Sequence, residues 1–176
     1  MKLKKNRWWT GIAALLMAVN MEAAEWKTYL SCHNATKNTP VAGRVYSLAS
    51  GDLYYYVSDE KEAHVLSKTT GLSDVAIRHC AYNNTLSTFL LVYANSNIDV
   101  LGQGDSVVGM PEFKNSNLQD KTVNGISMAG KYAYLATNSG VVVVNMESCE
   151  FTNTYSFGQQ VRACACVDGR IYAATA

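Results

Sequence analysis

Beyond residue 40 the chain alternates short apolar runs with polar turns, at the pitch of strands rather than helices. One five-residue pattern recurs four times: a β-branched residue, two variable residues, Leu, Ile or Cys, then Ala or Ser. The copies are Val45-Tyr46-Ser47-Leu48-Ala49, Ile77-Arg78-His79-Cys80-Ala81, Val123-Asn124-Gly125-Ile126-Ser127 and Val161-Arg162-Ala163-Cys164-Ala165. Each is followed by a polar or Gly-bearing turn and a second apolar run, at Leu53–Val57, Phe89–Tyr93, Tyr132–Ala136 and Ile171–Thr175. Short runs rich in β-branched and aromatic residues, bounded by such turns, predict strands. Copies two and three agree further. Tyr93-Ala94-Asn95-Ser96-Asn97-Ile98 parallels Ala136-Thr137-Asn138-Ser139-Gly140-Val141, each placing Asn-Ser at a tight hairpin between two strands. Helical periodicity is nearly absent. The run Asp59–Ala63 is about one turn long and reads better as a charged hairpin loop.

The repeat starts, at residues 45, 77, 123 and 161, are separated by 32, 46 and 38 residues. The spacing centres near ~40 residues, the period of a propeller blade. The expected fold is all-β: a partial β-propeller of about three and a half blades, each an antiparallel meander. A β-sandwich is the second choice, because short strands at regular spacing also suit it. The small residue closing each first strand fits the crowding of inner strands around a central channel. The fourth copy stops in its second strand, so the visible units do not close a ring. Residues 25–176 are therefore expected to be the N-terminal portion of a longer propeller domain. Trp26-Lys27-Thr28-Tyr29-Leu30 alternates like an additional strand ahead of the first copy.

The beginning of the chain follows different rules. Lys2, Lys4, Lys5 and Arg7 precede an apolar run of 12 residues, Trp8–Val19, and small residues Ala23 and Ala24 follow. This is the layout of a secretory signal peptide, expected over residues 1–24, and the run is shorter than the ~20 residues a membrane span needs. The residues −3 to the two cleavage choices, Glu22 and Met21, are not small. An exported protein of the periplasm or the outer-membrane surface is expected, with no transmembrane span after cleavage. Removing residues 1–24 leaves 11 basic and 13 acidic residues, a net charge of −2. No basic run survives, which removes the electrostatic support for binding nucleic acid or a membrane surface. Charged residues make up 16% of the chain and hydrophobic ones 48%, which excludes a disordered, charge-rich chain.

Candidate chemistry is sparse. The five cysteines are Cys32, Cys80, Cys149, Cys164 and Cys166, an odd number in a compartment that permits disulfides. Cys164 and Cys166 share a strand face, where neighbours pair poorly, and C-x-C is not the usual zinc spacing. Cys80 and Cys164 hold one repeat position with Leu48 and Ile126, so they read as small core residues. Gly102-Gln103-Gly104 lacks the third glycine and the helix of a dinucleotide loop. His33 follows Cys32 and His79 precedes Cys80, but strand neighbours point to opposite faces, so neither pair makes a nucleophile and its base. His64 stands alone. Tyr54-Tyr55-Tyr56 could offer an aromatic sugar-binding face, but reads first as a strand with rings on both sides. No catalytic residue, cofactor site or metal site is assigned, and the ligand-binding residues are left unknown.

The words around the repeats carry a resemblance. Gly71-Leu72-Ser73-Asp74 before a strand resembles the linker of two-component-regulator propeller repeats. The ordered set is more specific: Trp26, Tyr29-Leu30, His33–Thr36, Val45–Leu48, Gly51–Tyr56, Gly71–Asp74, Val92-Tyr93, Asn97–Leu101, Lys121–Asn124, Tyr134–Thr137 and Gly140–Val143. It resembles the N-terminal propeller of the PorZ-like proteins, type IX secretion system surface components of Bacteroidota, over essentially the whole mature chain. The resemblance implies two seven-bladed propellers and a C-terminal sorting domain in a full-length protein. It implies a non-enzymatic role in a cell-surface attachment complex with the sortase PorU, with protein partners and anionic lipopolysaccharide as ligands. Length is the departure: the 176 residues are too few to include the second propeller and the sorting domain, so a fragment of a longer protein is expected. Two rival readings remain: a periplasmic ligand-sensing propeller of a two-component regulator, and a fragment of a propeller hydrolase or lyase.

Overall fold

The computed structural model describes residues 34–176. The signal-peptide segment, the strand-like run Trp26–Leu30, Cys32 and His33 lie outside the described residues. Fourteen strands form four antiparallel sheets. The first sheet is the meander β1 (Ala35–Val41), β2 (Arg44–Ala49), β3 (Asp52–Val57) and β4 (Glu62–Leu66). The second is β5 (Ile77–Asn83), β6 (Thr88–Tyr93), β7 (Ile98–Leu101) and β8 (Val107–Gly109). The third is β9 (Val123–Ala129), β10 (Tyr132–Thr137), β11 (Gly140–Asn145) and β12 (Glu150–Ser156). The fourth holds β13 (Val161–Val167) and β14 (Arg170–Thr175). Three four-stranded meanders and a two-stranded one make the three and a half blades of a partial β-propeller.

The sheets pack face to face, and the cores lie between them. Tyr46, Leu48 and Leu53 of the first sheet meet Phe89, Leu91 and Tyr93 of the second. Leu90 and Val92 point the other way, onto Leu135, Val142 and Val144 of the third. Tyr134, Ala136, Val141 and Val143 then pack with Val161 of the fourth. Middle strands such as β6 and β10 are therefore buried on both faces, which is why they read as unbroken apolar runs rather than alternating ones.

All four second apolar runs fall on strands, and both Asn-Ser segments are hairpin turns, between β6 and β7 and between β10 and β11. The charged segment after β3 is a turn, although Glu62 and Ala63 already belong to β4. The first repeat needs a correction. Val45–Ala49 lies in β2, the second strand of its sheet, whereas the other three copies begin the first strands β5, β9 and β13. The counterpart of those strands is β1, which carries the same register shift near its start. Its sequence, ATKNTPV, is mostly exposed and has no apolar run, and Pro40 suits an edge strand, so the hydrophobic pattern passes over it. Starting at Ala35, the four repeats space at about 40 residues. Cys80, Ile126 and Cys164 remain equivalent; Leu48 leaves that set.

A short α-helix, α1 (Glu112–Asn115), was not expected. It follows Pro111, and it inserts Phe113 into the core between the second and third sheets, stacked on Phe151 with centroids 5.7 Å apart. Four residues are too few to show a helical period.

Candidate functional site

The first strands β1, β5, β9 and β13 stand side by side along the narrow edge of the stack. Polar side chains tie each to the next. Lys37 Nζ donates to the Cys80 carbonyl at 2.9 Å, His79 Nε2 meets the Val123 carbonyl at 2.8 Å, and Asn124 Nδ2 donates to the Val161 carbonyl at 2.8 Å. At Gly125 the β9 and β13 strands run close: a Cβ there would sit 3.4 Å from the Arg162 carbonyl oxygen.

Each of these strands carries a β-bulge at its second residue. The pairing skips Thr36, Arg78, Asn124 and Arg162 in turn. A bulge leaves one residue unpaired and re-aims its side chain. Two of the four are satisfied internally: Thr36 Oγ1 donates to the Leu48 carbonyl, and Asn124 Nδ2 also reaches Asn138 Oδ1 at 2.8 Å. Arg78 and Arg162 are exposed. The ion pairs among the described residues, Arg44–Asp105, His64–Glu60, Lys114–Asp74 and Lys131–Glu147, all lie elsewhere.

A half-open cavity of about 250 Å³ lies at this edge, lined by Thr36, Lys37, Arg78, His79, Cys80 and Ile126, among others. The four inner strands contribute Lys37, Arg78, His79 and Arg162 and no carboxylate. Burial pushes the His79 pKa below its ordinary value, and the nearby Arg78 and Lys37 push it the same way. Burial also pushes the Cys80 thiol up to about 12, so this cysteine is a packed thiol and not a nucleophile. The sequence shows no basic run after residue 24; the fold assembles a basic edge from residues 37, 78 and 162.

The Gly71–Asp74 linker earns its place by what it bonds. Leu72 is buried in the first core, and the Ser73 amide donates to Asp99 Oδ2 at 2.8 Å. Asp99 is fully buried and also accepts from the Tyr93 hydroxyl. Asp74 accepts from the Val75 amide, from Asn95 Nδ2 and from Lys114 Nζ, which hold its pKa down at about 2. One blade later the arrangement repeats: Asp120 accepts from the Thr122 amide and from Asn138 Nδ2. The Asn of each Asn-Ser turn thus locks onto an Asp just before its own blade. Sequence reading found the turns but not their Asp partners, which precede them by about 20 residues.

The other sequence candidates do not gather into a site. Tyr54 is buried, Tyr55 is half-buried and Tyr56 is exposed, so the three rings form no single platform. Tyr55 stacks on His64 and lies under the Arg44 guanidinium, which pairs with Asp105 at 3.2 Å. Gly102–Gly104 lies in the β7–β8 loop beside Tyr46, Tyr82 and Phe89, and it leads through a single 3-10 turn into strand β8, not into the helix a dinucleotide loop needs. Cys80, Cys149, Cys164 and Cys166 are free, and among the described residues no cluster of His, Cys, Asp and Glu could hold a metal ion.

Residues 45–176 match the family model described as the PorZ N-terminal beta-propeller domain of the type IX secretion system. The chain belongs to the PorZ family. PorZ of Porphyromonas gingivalis, called an essential bacterial surface component of the type IX secretion system, superposes with a TM-score of 0.76 at 31% identity. That match covers 84% of this chain and 20% of PorZ, so the chain spans about a fifth of the PorZ length. An extracellular domain assigned to a one-component system of B. thetaiotaomicron superposes with a TM-score of 0.67 at 9% identity, over 85% of this chain and 21% of that one. BamB of Moraxella catarrhalis gives 0.52 at 12% identity, over 78% and 39%. The last two show the shared propeller fold alone. No sequence among curated proteins matches the chain. Within the PorZ-family propeller, the described residues hold no helix long and apolar enough to cross a membrane.

Proposed function

We propose that this chain is the N-terminal propeller portion of an exported, non-enzymatic surface component of a type IX secretion system. Residues 1–24 act as the signal peptide, and residues 25–176 are part of a longer propeller domain. In its attachment complex the protein binds protein partners and anionic lipopolysaccharide. The observation that carries this reading is the family match over residues 45–176. The likeness to extracellular sensor domains at 9% identity speaks for the fold and adds no weight to a sensing role. A propeller dehydrogenase, NirN, also shares the fold at 13% identity, so the non-enzymatic reading rests on family membership and not on architecture.

A capture experiment tests it. The purified chain is immobilised and incubated with outer-membrane extract from a bacterium that secretes by this route. Retention of anionic lipopolysaccharide over neutral lipopolysaccharide, together with the attachment-complex sortase, is expected. Retention of neither, or turnover of the glycan, overturns the proposal.

A further inference from the structure

We propose that the basic inner edge of the stack is a binding site for an anionic oxygen group, a phosphate or carboxylate, held by Arg78 and Lys37 beside His79. The proposal gives a location to the anionic-ligand binding inferred above, and in that respect rests on that reading.

Several observations support it. Arg78 sits at a β-bulge, the backbone feature that turns a side chain out of the ladder, and Arg162 occupies the equivalent bulge two blades on. The carboxylates that precede β5 and β9 are engaged elsewhere: Asp74 with Asn95 and Lys114, Asp120 with Asn138. The cavity bordered by Lys37, Arg78 and His79, at about 250 Å³, has room for a phosphate and part of a sugar. Lys37 is already oriented by its bond to the Cys80 carbonyl, which leaves two N–H donors on its ammonium group. A planar guanidinium fork suits two oxygens of one anionic group, and among the described residues Arg78 has no side-chain hydrogen bond or ion pair that an incoming anion would have to break. Concentrating these cations on one edge of a chain that is net negative after residue 24 also steers anions toward that edge.

The test is a titration of the full chain with inorganic phosphate, glucose 1-phosphate and glucose, read by NMR from the histidine ring signals. His79 borders the cavity; His64, stacked on Tyr55, is the internal control. Saturable movement of the His79 signal with both phosphates, but not with glucose, is expected, with His64 unmoved. Arg78→Gln should raise Kd about tenfold, and Arg78→Glu should abolish binding, while Arg170→Gln leaves it unchanged. Arg78 is exposed and lies outside the core, so circular dichroism should report an unaltered fold for both Arg78 variants. Tighter binding of the sugar phosphate than of phosphate identifies a phosphorylated glycan as the source; equal binding identifies free phosphate. An unmoved His79, an unchanged Kd in Arg78→Gln, or equal weakening in Arg170→Gln overturns the site. Lipopolysaccharide capture reports separately. A chain that binds phosphate but captures no lipopolysaccharide keeps this site and loses the functional reading. Capture that persists in Arg78→Glu keeps that reading and overturns this site as its location.

Discussion

Asp74 illustrates how one side chain holds a joint between blades. Its carboxylate gathers Val75, Asn95 and Lys114, and its pKa falls to about 2 for that reason. A carboxylate held below its unfolded value near ~3.9 contributes stability at every pH above that value. The contribution disappears as pH falls from about 4 toward 2. Asp74→Asn is therefore expected to cost on the order of 1–2 kcal/mol at pH 7. The difference between wild type and variant should shrink through that acid window in denaturant melts recorded at several pH values. Gly140 is a second single-residue requirement. It adopts φ +148, and a Cβ there would lie 1.9 Å from the Tyr155 carbonyl oxygen. Gly140→Ala should destabilise by about 2–4 kcal/mol through strain at the β11–β12 pairing, measured as a fall in the urea midpoint with an unchanged m-value.

Elements were legible where their burial left a pattern. The runs at Phe89–Tyr93 and Tyr132–Ala136 stand out because both faces of β6 and β10 are covered. The β1 strand did not stand out, because its exposed residues ATKNTPV put almost nothing into a core, and only its pairing with β2 identifies it. The helix α1 was equally silent: one buried residue, Phe113, in a four-residue turn has no periodicity to read. That residue nevertheless anchors the element. Phe113→Ala should cost about 3–5 kcal/mol by removing a fully buried ring from the core between the second and third sheets. Chemical denaturation checks the total. Protease cleavage near residues 111–116, faster in the variant than in wild type, would place the loss at this element.

At the scale of the described sheets, successive blades of the partial propeller pack through separate cores. Stability is then greatest in the middle of the stack and lowest at its outer strands. Amides of β6, β10 and β11, whose residues are almost all buried, should exchange most slowly with deuterium. Those of β1, β12 and β14 should exchange faster. Uniform protection across all fourteen strands would count against a stack of separable units. By itself the sequence determined the strand-rich fold class and the blade-like period, because burial of middle strands and tight turns are local, repeated constraints; the family was legible only through the resemblance carried by its ordered motifs. The true start of the first blade, the Asp–Asn locks across roughly 20 residues and the basic inner edge were decided only by the tertiary structure. Lys37, Arg78 and Arg162 are far apart along the chain, and only the side-by-side packing of β1, β5, β9 and β13 brings their charges onto one edge.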